Sequence, residues 1–166
     1  MDPVNVSVIV SAPRERVFDY LQDIANHAEF TDHFLTDWHL TRIDPVGRGA
    51  GARFRIKAPG PGGRFAYGDV TFTEVERPHK IVEVGRTGKN NRIRTLGIYE
   101  LTSSTADSTR VSFTFQSIPD KLSDKILEGI GARGWLLRKN KRAMHRLRSI
   151  LETGEGRGAR VTVAGG

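Results

Sequence analysis

The densest group of residues that could carry chemistry lies between His27 and His39, in HAEFTDHFLTDWH, which holds three histidines and three carboxylates. Imidazole and carboxylate groups are common zinc ligands, and His33 and Asp37 would meet if one helix continued through both. The window lacks the H-E-x-x-H spacing, however, and it spans a predicted change from helix to strand. We therefore interpret it as a polar surface segment near a pocket entrance, and we predict no metal or other cofactor.

Two further motifs are excluded by their context. The glycine-rich stretch GRGAGA at residues 47–52 lacks G-x-G-x-x-G spacing and leads into a strand, which indicates a hairpin turn and not a phosphate-binding loop. No G-x-S-x-G motif is present, so no serine nucleophile can be identified. The chain has no cysteine, and this excludes disulfides, thiolate metal sites and cysteine nucleophiles.

Three polar residues share the predicted phase of the apolar residues in their strands: Arg86, Thr95 and Tyr99. In a mostly apolar pocket, a few such groups would orient a carbonyl or hydroxyl group of a ligand. Tyr99 could donate a proton, and Arg86 could hold an anionic or enolate oxygen. The simpler interpretation places the Tyr99 hydroxyl at the pocket rim and the Arg86 charge in solvent. We favour it over catalysis, and we predict no catalytic residue.

An antiparallel sheet must position these residues. Val4 to Val10 alternates as VNVSVIV, and six later segments also have a period of two. Short turn sequences separate the segments, which predicts a meander of hairpins with seven strands in total. The six later segments are WHLTRI, ARFRIKA, FAYGDVTFTEV, KIVEVGRT, IRTLGIYELT and TRVSFTFQS.

Alternation assigns one apolar face to this sheet. The predicted inward residues are Phe54, Ile56, Val70, Phe72, Val82, Val84, Tyr99, Leu101, Val111, Phe113 and Phe115. Their neighbours are polar and are predicted to face outward: Arg53, Arg55, Asp69, Thr71, Glu83, Glu100, Ser112 and Thr114. This pattern predicts a sheet with one buried face.

Helical periodicity is predicted for two short segments after the first strand and for one long segment from about Lys121 to Leu151. The apolar residues of the long segment fall within an arc of roughly 160° on a helical wheel. They are Ile126, Ile130, Leu136, Leu137, Met144, Leu147, Ile150 and Leu151. Asn140 lies near the centre of this arc, where we expect it to form a hydrogen bond to a strand or to buried water, in preference to contact with a ligand. Glycines at 129, 131 and 134 predict a kink or a new helix start.

The remaining arc of the long helix is strongly basic: it carries Arg138, Lys139, Lys141, Arg142, His145, Arg146 and Arg148. A helix that reads DNA needs a partner helix and turn, and no such pair precedes this one. We therefore interpret the basic arc as a solvated face and expect no nucleic-acid partner. Weak contact with an anionic membrane surface remains open as an alternative.

Composition agrees with one globular domain. The chain has 166 residues, of which 37% are hydrophobic and 27% charged, and its formal charge is +7. The first residues include Asp2, no basic segment and only a short apolar run, and no stretch is long enough to span a membrane. We expect a cytoplasmic monomer or homodimer. Residues 153–166 are rich in glycine and predict a flexible tail, or at most a short strand at Arg160 to Val163.

The order of these elements and several local segments resemble the helix-grip fold of the START and birch-pollen-allergen superfamily (SRPBCC). VSVIVSAPRERVFDYLQDIANHAEF, VGRGAGARFRI, STRVSFTFQ and GWLLRKNKRAMHRLRSILE are similar to segments of its polyketide cyclase/dehydrase and lipid transport branch. The resemblance covers about residues 4–152. It implies an α+β helix-grip domain at residues 1–152, with a curved seven-stranded sheet wrapped around the C-terminal helix and two short helices after the first strand.

The same resemblance implies an apolar cavity between sheet and helix. We expect this cavity to bind or transport a small hydrophobic molecule such as a lipid, polyketide, quinone or sterol. The alternative is an aromatase/cyclase or dehydrase-type enzyme that acts on a polyketide-like substrate in the same cavity. The predicted ligand-binding residues are Phe54, Ile56, Phe72, Val84, Arg86, Thr95, Tyr99, Phe113, Phe115, Ile130, Leu137 and Asn140.

Overall fold

A computed structural model describes residues 2–57, 65–119 and 131–162 of the protein. Seven antiparallel strands form one curled sheet in the order β1-β7-β6-β5-β4-β3-β2. Consecutive strands from β2 to β7 are neighbours, as the short turns predicted, and β1 joins the outer edge of β7. The strands are Val4–Val10, Leu35–Leu40, Gly51–Lys57, Phe65–Glu76, Lys80–Thr87, Ile93–Thr105 and Ser108–Pro119, numbered β1 to β7.

Three α-helices accompany the sheet in the described residues: α1 (Arg14–Leu21), α2 (His27–Thr31) and α3 (Ala132–Thr153). Short 3₁₀ turns lie at Ile24–Asn26 and Lys89–Asn91. The α+β helix-grip fold that the sequence predicted is therefore confirmed. In these same parts of the chain, no helix combines the length and the apolar character needed to cross a membrane.

Helix α3 packs along β1 and against α2. Its buried residues are Asn140, Ala143, Met144, Leu147, Ile150 and Leu151, which follow the spacing of the predicted apolar arc. The basic residues at 138, 141, 142, 145 and 148 are exposed, as predicted for the solvated face, but Lys139 and Arg146 are half-buried, and for these two the prediction was wrong. Gly131 precedes the helix with φ of 82°, a conformation that glycine adopts without a Cβ clash. The predicted stretch from Lys121 to Ile130 lies outside the described residues, Ile130 included.

Strand β5 turns the opposite face to the core from the one that the sequence predicted. Ile81 is fully buried, whereas Val84 is 39% exposed. Glu83 pairs with Phe72 of β4 and with Gly97 of β6. Residues that pair directly across neighbouring strands share a face, so Glu83 lies on the same side as the buried Phe72. The predictions that Val84 faces inward and Glu83 outward were therefore wrong.

The reason is an ambiguity within KIVEVGRT. Apolar residues occur in both phases of this segment, Ile81 in one and Val82 with Val84 in the other, and the second phase is the more apolar. Pairing with the neighbouring strands overrides that local preference. Arg86 belongs to the outward phase with Val84 and is exposed, which also corrects its predicted inward orientation.

The segment that follows α3 is anchored to the 3₁₀ turn and to α2. The backbone N–H groups of Gly158 and Val161 donate to the carbonyls of Glu29 and Ala25, at 3.0 and 3.2 Å. Val161 is 1% exposed, and Arg160 pairs with Asp23. The predicted flexible tail is thus docked as far as residue 162, and the described residues 160–162 do not form a strand.

Candidate ligand-binding cavity

A partly open cavity of about 110 Å³ lies between the concave face of the sheet and the helices α2 and α3. Most of its wall is apolar and comes from both layers of the fold. The apolar lining residues are Phe30, Phe34, Leu35, Trp38, Phe54, Ile56, Val70, Phe113, Phe115, Leu136, Ala143 and Met144. Such a wall, with a few polar groups, is typical of a site for a small organic molecule.

Aromatic contacts hold this wall in place. The Tyr99 and Phe113 rings stack with centroids 4.3 Å apart, and the Trp38 and Phe54 rings are 4.7 Å apart. Phe34 meets Trp135 of α3 edge to face, with centroids 5.9 Å apart. Aromatic pairs in these arrangements stabilise beyond their buried area by about 0.5–1.5 kcal/mol each. The cavity is therefore bounded by side chains that support one another.

Most of the predicted ligand-binding residues meet at this cavity. Its lining includes Phe54, Ile56, Arg86, Thr95, Tyr99, Phe113, Phe115 and Asn140. Phe72 is buried in the core behind the lining, and Leu137 also lies outside the lining because its neighbour Leu136 takes that place. Val84 points away from the cavity for the register reason given above, and Ile130 lies outside the described residues.

Glu83 is the main site residue that sequence reasoning missed. Glu83 lines the cavity, and its carboxyl group has no hydrogen-bond or ion-pair partner among the described residues. Burial raises the pKa of Glu83 from 4.5 to about 7, because the protein removes water from the charged form. A carboxylic acid that is only part-ionised at neutral pH can both donate and accept a hydrogen bond.

Gly97 makes room for the Glu83 side chain. A Cβ atom placed on Gly97 would lie 2.6 Å from Glu83 Cγ, which is closer than real Cβ contacts allow. The Glu83 side chain therefore lies flat across the backbone of β6. Only glycine at position 97 permits this arrangement without a shift.

Tyr99 lies beside Glu83 on the same face of the sheet. Tyr99 pairs with Ile81 and Gly97 pairs with Glu83, so Glu83 and Tyr99 are diagonal neighbours, for which the spacing is roughly 7 Å. Burial, and secondly the Glu83 charge, raise the pKa of Tyr99 well above 10.0. The Tyr99 hydroxyl has no hydrogen-bond partner among the described residues. It is therefore a neutral donor at the cavity.

His27 is buried, contrary to the predicted polar surface segment. Its ring packs against Phe30, Phe72 and Tyr99 with centroids 5.3 to 5.5 Å apart, and it lines the cavity. Burial lowers the pKa of His27 to about 4, so the ring is neutral at pH 7. Its Nε2 lies 2.8 Å from the Leu21 carbonyl oxygen, which requires the proton to be on Nε2 and leaves Nδ1 as an acceptor.

The other groups of the same window have separate protein partners. Glu29 is 2% exposed and accepts a hydrogen bond from Tyr20 at 2.6 Å, while Asp32 pairs with Arg146. His33 Nε2 lies 3.1 Å from the Lys139 carbonyl oxygen. Across residues 2–57, 65–119 and 131–162, no three histidine or carboxylate groups are close enough to hold a metal ion together. The window joins α2 to α3 and to the tail.

Asn140 satisfies its amide within its own helix. Its Nδ2 donates to the Leu136 carbonyl at 3.0 Å, and the residue is 8% exposed. The sequence led us to expect a partner on a strand or a buried water, and this prediction was wrong, because the partner is a carbonyl of α3 itself. Asn140 also lines the cavity, so its side-chain oxygen remains available as an acceptor.

Comparison with known proteins places this arrangement in a family. Residues 11–139 match the family described as Activator of Hsp90 ATPase homolog 1-like protein. The chain belongs to this family. The AHSA1 family is part of the SRPBCC superfamily, so the resemblance predicted from the sequence is confirmed. No curated protein matches the chain.

Solved structures share the AHSA1-like fold at low sequence identity. TTHA0849 from Thermus thermophilus is 13% identical with a TM-score of 0.66, and the match covers 90% of this chain and 96% of that one. The KanY protein (ms6282) is 11% identical with a TM-score of 0.68, at 90% and 96% coverage. DynU16, a protein in the dynemicin biosynthetic locus, is 21% identical with a TM-score of 0.63, at 95% and 50% coverage.

Proposed function

We propose that this protein binds a small, mainly hydrophobic molecule in the cavity between the sheet and α3. The observation that carries the proposal is the cavity itself, with aromatic and aliphatic walls and a few polar groups. The location of the similar DynU16 in a biosynthetic locus agrees with a role in handling an organic intermediate.

The volume limits the size of the ligand. One water-sized group needs about 10–15 Å³ of such space, so 110 Å³ holds roughly seven to eleven non-hydrogen atoms. A monocyclic or bicyclic ring compound fits this space, whereas a whole sterol or long lipid requires the cavity to widen. Burial of about 200 Å² of apolar ligand surface would gain about 5 kcal/mol before the costs of association. A gain of about 5 kcal/mol corresponds to a dissociation constant of about 0.2 mM at best, so we expect affinities near the millimolar range.

A pair of neighbouring leucines offers a direct test. Leu136→Trp would place an indole ring in the cavity, whereas Leu137→Trp adds the same ring at a position outside the lining. We expect calorimetric titration with a ring compound such as 1-indanone to show binding to the wild type and to Leu137→Trp, but not to Leu136→Trp. Equal binding by both variants would contradict the proposal.

A second candidate is an enzyme of the aromatase/cyclase or dehydrase type. It is favoured by Glu83 and Tyr99, two titratable groups that line one apolar cavity and have no hydrogen-bond partner within the part of the chain that the structure describes. Tyr99→Phe separates the two candidates. A carrier should lose only the contribution of one neutral hydrogen bond, about tenfold in affinity or less, whereas an enzyme that uses the Tyr99 proton should lose turnover far more than affinity.

A further inference from the structure

The polar groups of the cavity are concentrated around Glu83. Tyr99 comes from β6 and His27 from α2, while Asp69 and Arg86, which pair directly across β4 and β5, also border the cavity. Helix α3 contributes no titratable group to the described lining, and Asn140 is its one polar side chain there. These are the titratable and charged groups of the described cavity lining.

Most of these groups already have fixed roles. Asp69 Oδ1 accepts from the Arg86 backbone N–H at 2.8 Å, and His27 is held by the Leu21 carbonyl. The Glu83 carboxyl and the Tyr99 hydroxyl have no such partner among the described residues. Buried polar groups in folded proteins are regularly paired, so two neighbouring groups without partners at a cavity point to a ligand atom between them.

Building on the proposed binding function, we propose that Glu83 and Tyr99 form the polar end of the site and recognise an oxygen substituent on a small ring compound. A protonated Glu83 donates a hydrogen bond to a ligand carbonyl. An ionised Glu83 can only accept, and so it selects a ligand hydroxyl. Tyr99 donates to the same oxygen in both states. Glu83 thus determines which oxygen group the cavity prefers at a given pH.

The preference for a carbonyl or a hydroxyl group depends on the charge of Glu83, because burial keeps its neighbours His27 and Tyr99 neutral. His27 stays neutral across the relevant range, since burial keeps its pKa at about 4, and Tyr99 stays protonated because its pKa is raised. Glu83, with a pKa of about 7, is therefore the cavity group that changes charge between about pH 5.5 and pH 8.5. The charge faces a mostly apolar wall, where a mismatched polar group is costly.

Three bicyclic compounds of nearly equal size test the proposal: indane has no oxygen, 1-indanone has a carbonyl acceptor, and 5-indanol has a hydroxyl donor. Affinities would be measured by calorimetry at about pH 5.5 and about pH 8.5. We expect the preference of the wild type for 1-indanone over indane to fall about tenfold at the higher pH, because the donor is lost. The preference for 5-indanol should persist or increase.

Two variants separate the inference from its alternatives. Glu83→Gln can donate at both pH values, so its preference for 1-indanone should not change with pH. Glu100→Gln, at an exposed position on β6, should behave as the wild type. Binding of all three compounds with a preference that is independent of pH, or that changes with pH equally in Glu83→Gln, would overturn this inference and leave the binding function intact. Failure of all three compounds to bind would overturn the binding function as well.

Discussion

Replacement of Glu83 by Gln should stabilise the protein, and the gain should depend on pH. The cavity binds the proton of Glu83 more tightly than the unfolded chain does, since burial raises the pKa from 4.5 to about 7. The folded state therefore loses stability as pH rises through this interval. Below 4.5 the acid is protonated in both states and the penalty is absent, and above 7 the penalty is complete.

The magnitude follows from the two pKa values. A tenfold change in proton affinity is worth about 1.4 kcal/mol, so a rise from 4.5 to about 7 corresponds to about 3 kcal/mol. Residual water in the cavity would reduce this value, and we expect a gain of about 2–3 kcal/mol at pH 8. Gln has nearly the shape of the protonated acid. The variant should therefore match the wild type near pH 4.

Urea denaturation followed by tryptophan fluorescence measures this difference across the pH range. Both proteins contain the other titrating groups, such as His27, so their contributions cancel in the difference between the two free energies of unfolding. Glu100→Gln serves as the control, because Glu100 is exposed and should give little change at any pH. A gain that is equal at pH 4 and pH 8, or no gain at pH 8, would refute the assignment of Glu83 to a water-poor cavity.

Three further predictions concern groups around the cavity. Burial lowers the pKa of His27 from 6.5 to about 4, so the folded protein loses stability as pH falls through this interval. This loss amounts to about 3 kcal/mol between pH 7 and pH 4, and His27→Gln, which keeps a donor for the Leu21 carbonyl, should remove it in urea denaturation. An unchanged loss in the variant would count against a buried neutral ring. Gly97→Ala should destabilise the folded protein by about 1–3 kcal/mol through its clash with Glu83, and a double-mutant cycle should show that this cost largely vanishes when Glu83 is also replaced by Ala. Additive effects of the two substitutions would argue against the clash. The Arg146 guanidinium group donates hydrogen bonds to Asp32 and to the carbonyls of Glu29 and Gly156. Lysine cannot make all of these bonds, so Arg146→Lys should lower the free energy of unfolding by about 1–2 kcal/mol in the same assay. A neutral effect would show that the guanidinium group is not needed.

Helix α3 and most strands could be predicted because their apolar residues occur in only one phase of the helical or strand period. Residues Met144 to Leu151 alternate between buried and exposed positions with a helical period, and β7 does so with a period of two. In β5 both phases carry apolar residues, so the sequence alone cannot decide which face Glu83 occupies. The pairing of β5 with β4 and β6 decides it, and the space that Gly97 leaves for Glu83 appears only when β5 and β6 are paired.

Burial of the polar window was the second feature that sequence reasoning missed. His27 and Glu29 look like surface residues by type, but each has specific protein partners: the Leu21 carbonyl for His27, and the Tyr20 hydroxyl and Arg157 for Glu29. The docked tail was missed for a similar reason. Val161 is one apolar residue in a glycine-rich segment, and its place against Ala25 depends on tertiary contacts.

The most direct test of the account is to locate a bound ring compound by isotope-filtered NMR. In a complex of 1-indanone with labelled protein, we predict nuclear Overhauser contacts from the ligand to the side chains of Phe113, Leu136 and Met144, which line the cavity. Contacts only to exposed apolar side chains, such as Val84 and Ile118 on the surface, would contradict the account.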